Sequence, residues 1–86
     1  MREIIVSKTF ERQFERLTGE AQQAIIERLE RLQANDENLD LKKLRPTHEG
    51  LWRLRCGKYR IIFEYLESET IHLLNVDSRD KIYRRF

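Results

Sequence analysis

Little in this 86-residue chain can form a covalent or metal-held scaffold. The single cysteine, Cys56, cannot close an internal disulfide, and no cluster of cysteine and histidine has the spacing of a metal site. No apolar run approaches the roughly 20 residues that a membrane-spanning helix needs. Arg2 and Glu3 precede only three apolar residues, too few for the core of a secretory leader. Repeats and low-complexity tracts are missing, and the only proline is Pro46. These absences predict a cytoplasmic protein with no metal, no cofactor and no membrane partner, held together by an ordinary core.

Such a chain has room for one domain, spanning residues 1–86. A hydrophobic fraction of 40% and eight aromatic residues suffice for one compact core. The charged fraction, 37%, is high, but apolar residues recur with clear periods, which argues for folding over disorder. Net charge is only +2, and its distribution is uneven. Residues 41–60 hold seven basic groups against Glu49, and residues 79–86 hold four against Asp80. Between them, residues 61–78 carry four acids and no lysine or arginine. Two basic blocks that meet in space make an anion site.

The segment "EIIVS" reads as a short first strand. Phe10, Phe14 and Leu17 then fall at i, i+4 and i+7, one face of a helix, with Ser7 or Thr9 as N-cap. After a break at Thr18-Gly19, Ala21, Ile25, Leu29 and Leu32 form the stripe of a second helix that Thr18 caps. Arg12, Arg16, Arg28 and Arg31 sit among glutamates off these stripes and predict a solvated, ion-paired surface. A long polar connection follows, pinned by Leu39, Leu41 and Leu44. Three strands complete the pattern, at 51–56, 58–66 and 70–77, before a closing helical turn or tail. The order β-α-α-β-β-β predicts an α+β domain, an antiparallel sheet packed against an N-terminal helical hairpin.

The stretch "RLRCGKYR", residues 53–60, is the most informative. A two-residue turn with glycine first, Gly57-Lys58, suits type II′. It sets Cys56 opposite Tyr59, Arg55 opposite Arg60, Leu54 opposite Ile61 and Trp52 opposite Phe63. One face then carries the apolar set and the other carries Arg53, Arg55 and Arg60. Like charges directly opposed in a sheet are destabilising by a few tenths up to ~1 kcal/mol, so an anion or acidic partner is expected there. His72 is expected to be half-buried and hydrogen-bonded, His48 solvated, and Cys56 inert in the core.

From the basic strand ending in G-x-Y-R and the later hydrophobic strand followed by R-x-x-x-Y, the C-terminal half resembles the RelE/ParE superfamily of toxins. These belong to type II toxin–antitoxin pairs. The resemblance is closest to the RelE branch and extends, in element order, over the preceding strand and helical hairpin. It implies a RelE-like fold, a cognate antitoxin partner, and metal-independent cleavage of mRNA in the ribosomal A site, which arrests translation. By position it assigns Arg60, Arg79 and Tyr83 to catalysis. Arg53, Arg55, Lys58, Arg84 and Arg85 are assigned to RNA binding. Arginines stand where that branch often has lysines, and a protonated arginine is a poor base, which leaves the general base open. Two alternatives share the fold: a ParE-like inhibitor of DNA gyrase without nuclease activity, and a module that has lost catalysis and only binds an antitoxin.

Overall fold

The computed structural model describes residues 2–44, 50–67 and 69–86. Its elements are β1 (Glu3–Val6), α1 (Lys8–Glu15), α2 (Gly19–Gln33), β2 (Leu41–Lys43), β3 (Leu51–Cys56), β4 (Tyr59–Leu66), β5 (Thr70–Ser78) and α3 (Arg79–Arg85). The strands form one five-stranded sheet in the order β1-β5-β4-β3-β2. The expected α+β architecture and the three C-terminal strands are present.

Two features go beyond the expectation. The sheet is antiparallel across β2, β3, β4 and β5, but β1 lies parallel to β5. The meander leaves two free edges; β1 adds at that of β5, and β2 forms the other margin of the sheet. The polar connection also contains a strand: β2 pairs with β3, Leu41 against Leu54 and Lys43 against Trp52. Three residues carry too little periodicity to announce a strand, and the edge of β3 supplies the order. His48 and Ser68, and the proline of that connection, lie outside the described residues.

Local chemistry starts and stops the helices where the sequence suggests. The Ser7 hydroxyl accepts from the Phe10 N–H at 3.0 Å, and the Thr18 hydroxyl from the Ala21 N–H at 3.2 Å. At the end of α2, Asn35 takes φ +60°, and the Asn35 and Asp36 N–H groups donate back to the Leu32 and Arg31 carbonyls. This is a Schellman closure, in which a left-handed residue satisfies the last carbonyls of the helix. Asp36 then pairs with Arg31 at 2.7 Å. The expected Glu–Arg pairs along the helices do not form among the described residues. Exposed pairs gain too little to order two long side chains, and Arg28 instead donates to the Arg55 carbonyl at 3.3 Å.

The core sits between the helices and one face of the sheet. Phe10, Ile25 and Leu32 from α1 and α2 meet Leu54, Ile61, Phe63, Ile71, Leu73 and Val76. Leu39 and Leu41 pack against this cluster as expected, and Trp52 stacks on Phe63. Cys56 is buried here, and burial pushes its thiol up to about 11, as inert packing requires. A bulge in β5 interrupts the β4–β5 register near Ile62 and Phe63. It is held from α1 and its cap: Ser7 Oγ donates to the Leu74 carbonyl, and the Val76 N–H donates to Gln13 Oε1. The sheet's second face is covered in part by α3. Ile62 and Ile82 are fully buried without belonging to the first cluster, and α3 packs on β4 and β5. Among the described residues, no helix is long and apolar enough to cross a membrane.

Candidate functional site

The hairpin between β3 and β4 has the expected register: Cys56 faces Tyr59, Arg55 faces Arg60, Leu54 faces Ile61 and Trp52 faces Phe63. Gly57 takes φ +58° and Lys58 does not take a positive φ, the pattern of a type II′ turn. The turn fixes the alternation, so Arg53, Arg55 and Arg60 project from the face opposite the helical hairpin. That much follows from the strand. What the three arginines do there depends on what packs beside them.

An exposed row of charge is not what forms. Arg53 and Arg60 are only 9% and 5% exposed, and Arg55 alone is open to solvent. Arg60 Nη1 donates to the Gly57 carbonyl at 2.6 Å and the Tyr59 carbonyl at 2.9 Å. Arg53 Nη2 donates to Asp40 Oδ1 at 2.9 Å, and Arg55 Nη1 lies 3.8 Å from Asp40 Oδ2. The like-charge pair Arg55–Arg60 is therefore relieved from within: one guanidinium folds onto turn carbonyls and the other leans toward Asp40. The buried Nε–H groups of both Arg53 and Arg60 lack a protein acceptor. Each of these two cations thus keeps one buried donor without a protein partner, a cost concentrated on this face of the sheet.

The closing segment is a helix, α3, and it brings the second basic block to the first. The Arg79 N–H donates to the Lys58 carbonyl at 3.0 Å, which pins the start of α3 to the hairpin turn. Buried Ile82 holds the helix down, and Tyr83 follows it at half exposure. Arg79, one helical turn before Tyr83, lies 5.6 Å over the phenol ring. The Tyr83 hydroxyl titrates below a tyrosine's usual value. The largest cause is the Arg60 guanidinium donating toward it; desolvation opposes the shift, and the charges of Arg53, Arg60 and Arg79 add to it. Arg53 from β3, Arg60 from β4 and Arg79 from α3 thus act on one phenol.

Two depressions flank this cluster. One, of about 350 Å³, is lined by Lys42, Lys43, Leu44, Arg53 and Tyr83. The other, of about 500 Å³, is lined by Arg55, Gly57, Lys58, Arg60, Ser78, Arg79 and Asp80. Of the residues singled out in the sequence, Arg53, Arg55, Lys58, Arg60, Arg79 and Tyr83 meet here. Arg84 and Arg85 line neither depression; both are exposed, and Arg85 donates to the Asn75 side-chain oxygen at 3.3 Å with that amide oriented to satisfy both its ends.

Three residues were missed. Lys42 and Lys43 are exposed on β2, and Asp40 immediately precedes it. Their only signal was membership of, or adjacency to, the basic block from 41 to 60. His72 is half-buried and bonded as expected, its Nδ1 2.8 Å from Glu64 Oε2 on the neighbouring strand. That pair shares the sheet face but is not among the groups acting on Tyr83.

Fold and site together define a class: small α+β proteins with a mixed sheet, a helical hairpin on one face and an arginine-rich cleft beneath a C-terminal helix. The chain belongs to the ParE toxin family of type II toxin–antitoxin systems, whose family model, described for the parDE system, matches residues 4–83. Among solved structures it is similar to a chain of the RelB–RelE antitoxin–toxin complex from Methanococcus jannaschii. That match has 28% identity and TM-score 0.73, covering 95% of this chain and 98% of the other. A chain of the RelBE toxin–antitoxin complex from Mycobacterium tuberculosis matches at 22% identity and TM-score 0.75, over 91% and 98% of the two chains. YafQ from E. coli shares the fold at 14% identity and TM-score 0.73, over 96% and 99%. No curated protein sequence matches.

Proposed function

We propose that this toxin is a ribosome-dependent endoribonuclease that cuts mRNA in the A site and arrests translation, neutralised by a cognate antitoxin. The observation that carries the reading is the convergence of Arg53, Arg60 and Arg79 on Tyr83 beside two basic depressions. RNA cleavage from within needs a base for the 2′-hydroxyl, compensation for charge growing on the phosphorane, and a proton for the leaving 5′-oxygen. Tyr83, shifted toward its phenolate by three cations, takes the 2′-proton. The 2′-oxygen then bonds to phosphorus, and the 5′-oxygen leaves with a proton from water. The products are a 2′,3′-cyclic phosphate and a 5′-hydroxyl.

Arginine cannot be the base, because it stays protonated, but it suits the phosphate. Arg79, exposed beside Arg60, faces the reacting phosphate, while buried Arg60 both lines that depression and holds the phenol acidic. Arg53, Arg55, Lys58, Lys42 and Lys43 hold the strand on either side, with Arg84 and Arg85 as outlying phosphate contacts. The reaction draws on no metal in this reading. An acidic, amphipathic segment of the antitoxin fits the molecule: its acids meet Arg55, Lys58 and Arg79. A separate apolar stretch of the antitoxin has a groove of about 230 Å³ on the helical-hairpin side, lined by residues including Ile4, Val6, Phe10, Phe14, Ile26 and Leu29.

The test is primer extension on an mRNA in a purified translation system. New 5′ ends of downstream fragments in codon register, dependent on ribosomes and lost with Tyr83→Phe or Arg79→Ala, are the expected result. Both residues are exposed, so these variants keep the fold; Arg60→Ala removes a buried cation and is a less clean probe. The family match supports a second reading, a ParE-like inhibitor of DNA gyrase. Intact mRNA together with loss of gyrase supercoiling would replace the first reading with that one.

A further inference from the structure

The cleft already holds an anion of its own. Asp40 Oδ1 accepts from Arg53 Nη2 at 2.9 Å, and Asp40 Oδ2 lies 3.8 Å from Arg55 Nη1. These two arginines occupy alternate positions of β3 on one face, a spacing that a single phosphate can bridge as readily as a carboxylate. The Arg55 N–H also donates to the Asp40 carbonyl at 3.1 Å, so the residue is fixed to the strand edge. Yet its carboxylate is 49% exposed and has no other partner among the described residues. It is well placed to be displaced and poorly placed to be structural glue.

We propose that Asp40 is an intramolecular stand-in for a phosphate, occupying Arg53 and Arg55 while the cleft is empty and weakening its hold on any phosphate-bearing strand. The inference rests on the reading of the cleft as a nucleic-acid site and adds a specificity device to it. A strand entering between Arg53 and Arg55 must push a carboxylate aside and then lie next to its negative charge. Binding to a free strand is thereby kept weak, so that productive binding needs contacts beyond the cleft. Among the described residues, Lys42 on one side of Arg53 and Lys58 on the turn form no ion pair with an acid. Replacing either should weaken binding, whereas neutralising Asp40 should strengthen it.

The experiment measures binding of a fluorescein-labelled, 2′-O-methyl hexanucleotide, which cannot be cleaved, by anisotropy over a range of salt. Asp40→Asn keeps an oxygen acceptor for Arg53 and hence the local fold, which near-ultraviolet circular dichroism checks. It is expected to bind about two- to fivefold tighter than the parent, the range of a partly exposed charge pair. Its plot of log K against log salt should be steeper by about 0.7, one extra phosphate neutralised on a single strand. Asp40→Glu should stay at the parent's affinity. Equal or weaker binding by Asp40→Asn overturns the proposal; weaker binding would make Asp40 a positioning residue for Arg53.

If neither protein binds the oligonucleotide, the ribosome-dependent cleavage assay judges the nucleic-acid reading, and inorganic pyrophosphate decides the matter for Asp40. Its titration is followed by the arginine Nε–H signals in NMR. Tighter pyrophosphate binding by Asp40→Asn supports the proposal, and unchanged binding overturns it.

Discussion

Beneath the helical hairpin, alternate residues of β3, β4 and β5 meet Phe10, Ile25 and Leu32 in an apolar layer, beside which Gln13 accepts from the Val76 N–H. Beneath α3 the same strands present Arg53, Arg60, Glu64 and His72 beside a single buried isoleucine, Ile62. The first layer is redundant: many side chains share it, and it gains most of the area taken from water on folding. The second face has two apolar anchors, Ile82 from the helix and Ile62 from β4, beside buried Arg53 and Arg60 and half-buried Glu64 and His72. Polar groups in such a place are costly unless bonded, and two Nε–H groups there are not. Stability resides on one face of the sheet and the proposed chemistry on the other.

That contrast is open to attack from both sides. The largest effect should come from Phe63→Ala, which opens a cavity in the first layer and is expected to cost about 3–5 kcal/mol, read as a lower thermal midpoint. Ile82→Ala should lower the midpoint by visibly less, because only α3 depends on it, yet abolish cleavage by releasing Tyr83. Equal losses in the two variants would mean that the faces unfold as one unit and the contrast is false.

Next in size are the chemical variants. Tyr83→Phe is expected to slow cleavage by about 10²-fold or more, with the midpoint unchanged. Unaltered cleavage would remove Tyr83 from the mechanism. The same phenol gives a pH test. Neighbouring cations favour its phenolate, so it ionises below the usual value near 10. Cleavage should therefore rise with pH through a midpoint below the usual tyrosine value near 10. Arg79→Ala removes one of those cations and should move the tyrosinate absorbance transition upward; a downward move contradicts the assignment.

The buried thiol makes a finer probe of the first face. With its pKa pushed to about 11, Cys56 is almost wholly protonated at pH 8, and alkylation should be slow until denaturant is added. Rapid labelling of the native protein would show that this layer opens locally. The smallest effect belongs to the solvated helix surface. Arg12→Ala, which breaks no ion pair among the described residues, should change stability by no more than about 0.5 kcal/mol in a thermal melt.

Much of the fold was legible before any coordinates. Period 3.6 at Phe10, Phe14 and Leu17, the caps Ser7 and Thr18, and period 2 around Gly57 are local signals with local causes. β2 was not legible, because three residues that depend on the edge of β3 announce nothing themselves. The parallel setting of β1 was equally hidden, since pairing partners far apart in the chain leave no mark on either segment. In the site, the register that opposes Arg55 to Arg60 followed from turn length alone. The burial of Arg53 and Arg60 did not, because it is imposed by α3 and by Asp40.

Sequence by itself determined which residues alternate, where helices begin, and that basic side chains crowd one strand and the C-terminus. These follow from backbone geometry and nearest-neighbour chemistry, which act over a few residues. Only the tertiary structure decided that Arg79 and Tyr83 meet Arg53 and Arg60, and that Asp40 holds two of the cleft's arginines. Those outcomes depend on packing Ile82 against the far face of the sheet and on pairing β2 with β3, contacts that the chain reaches only once it has folded.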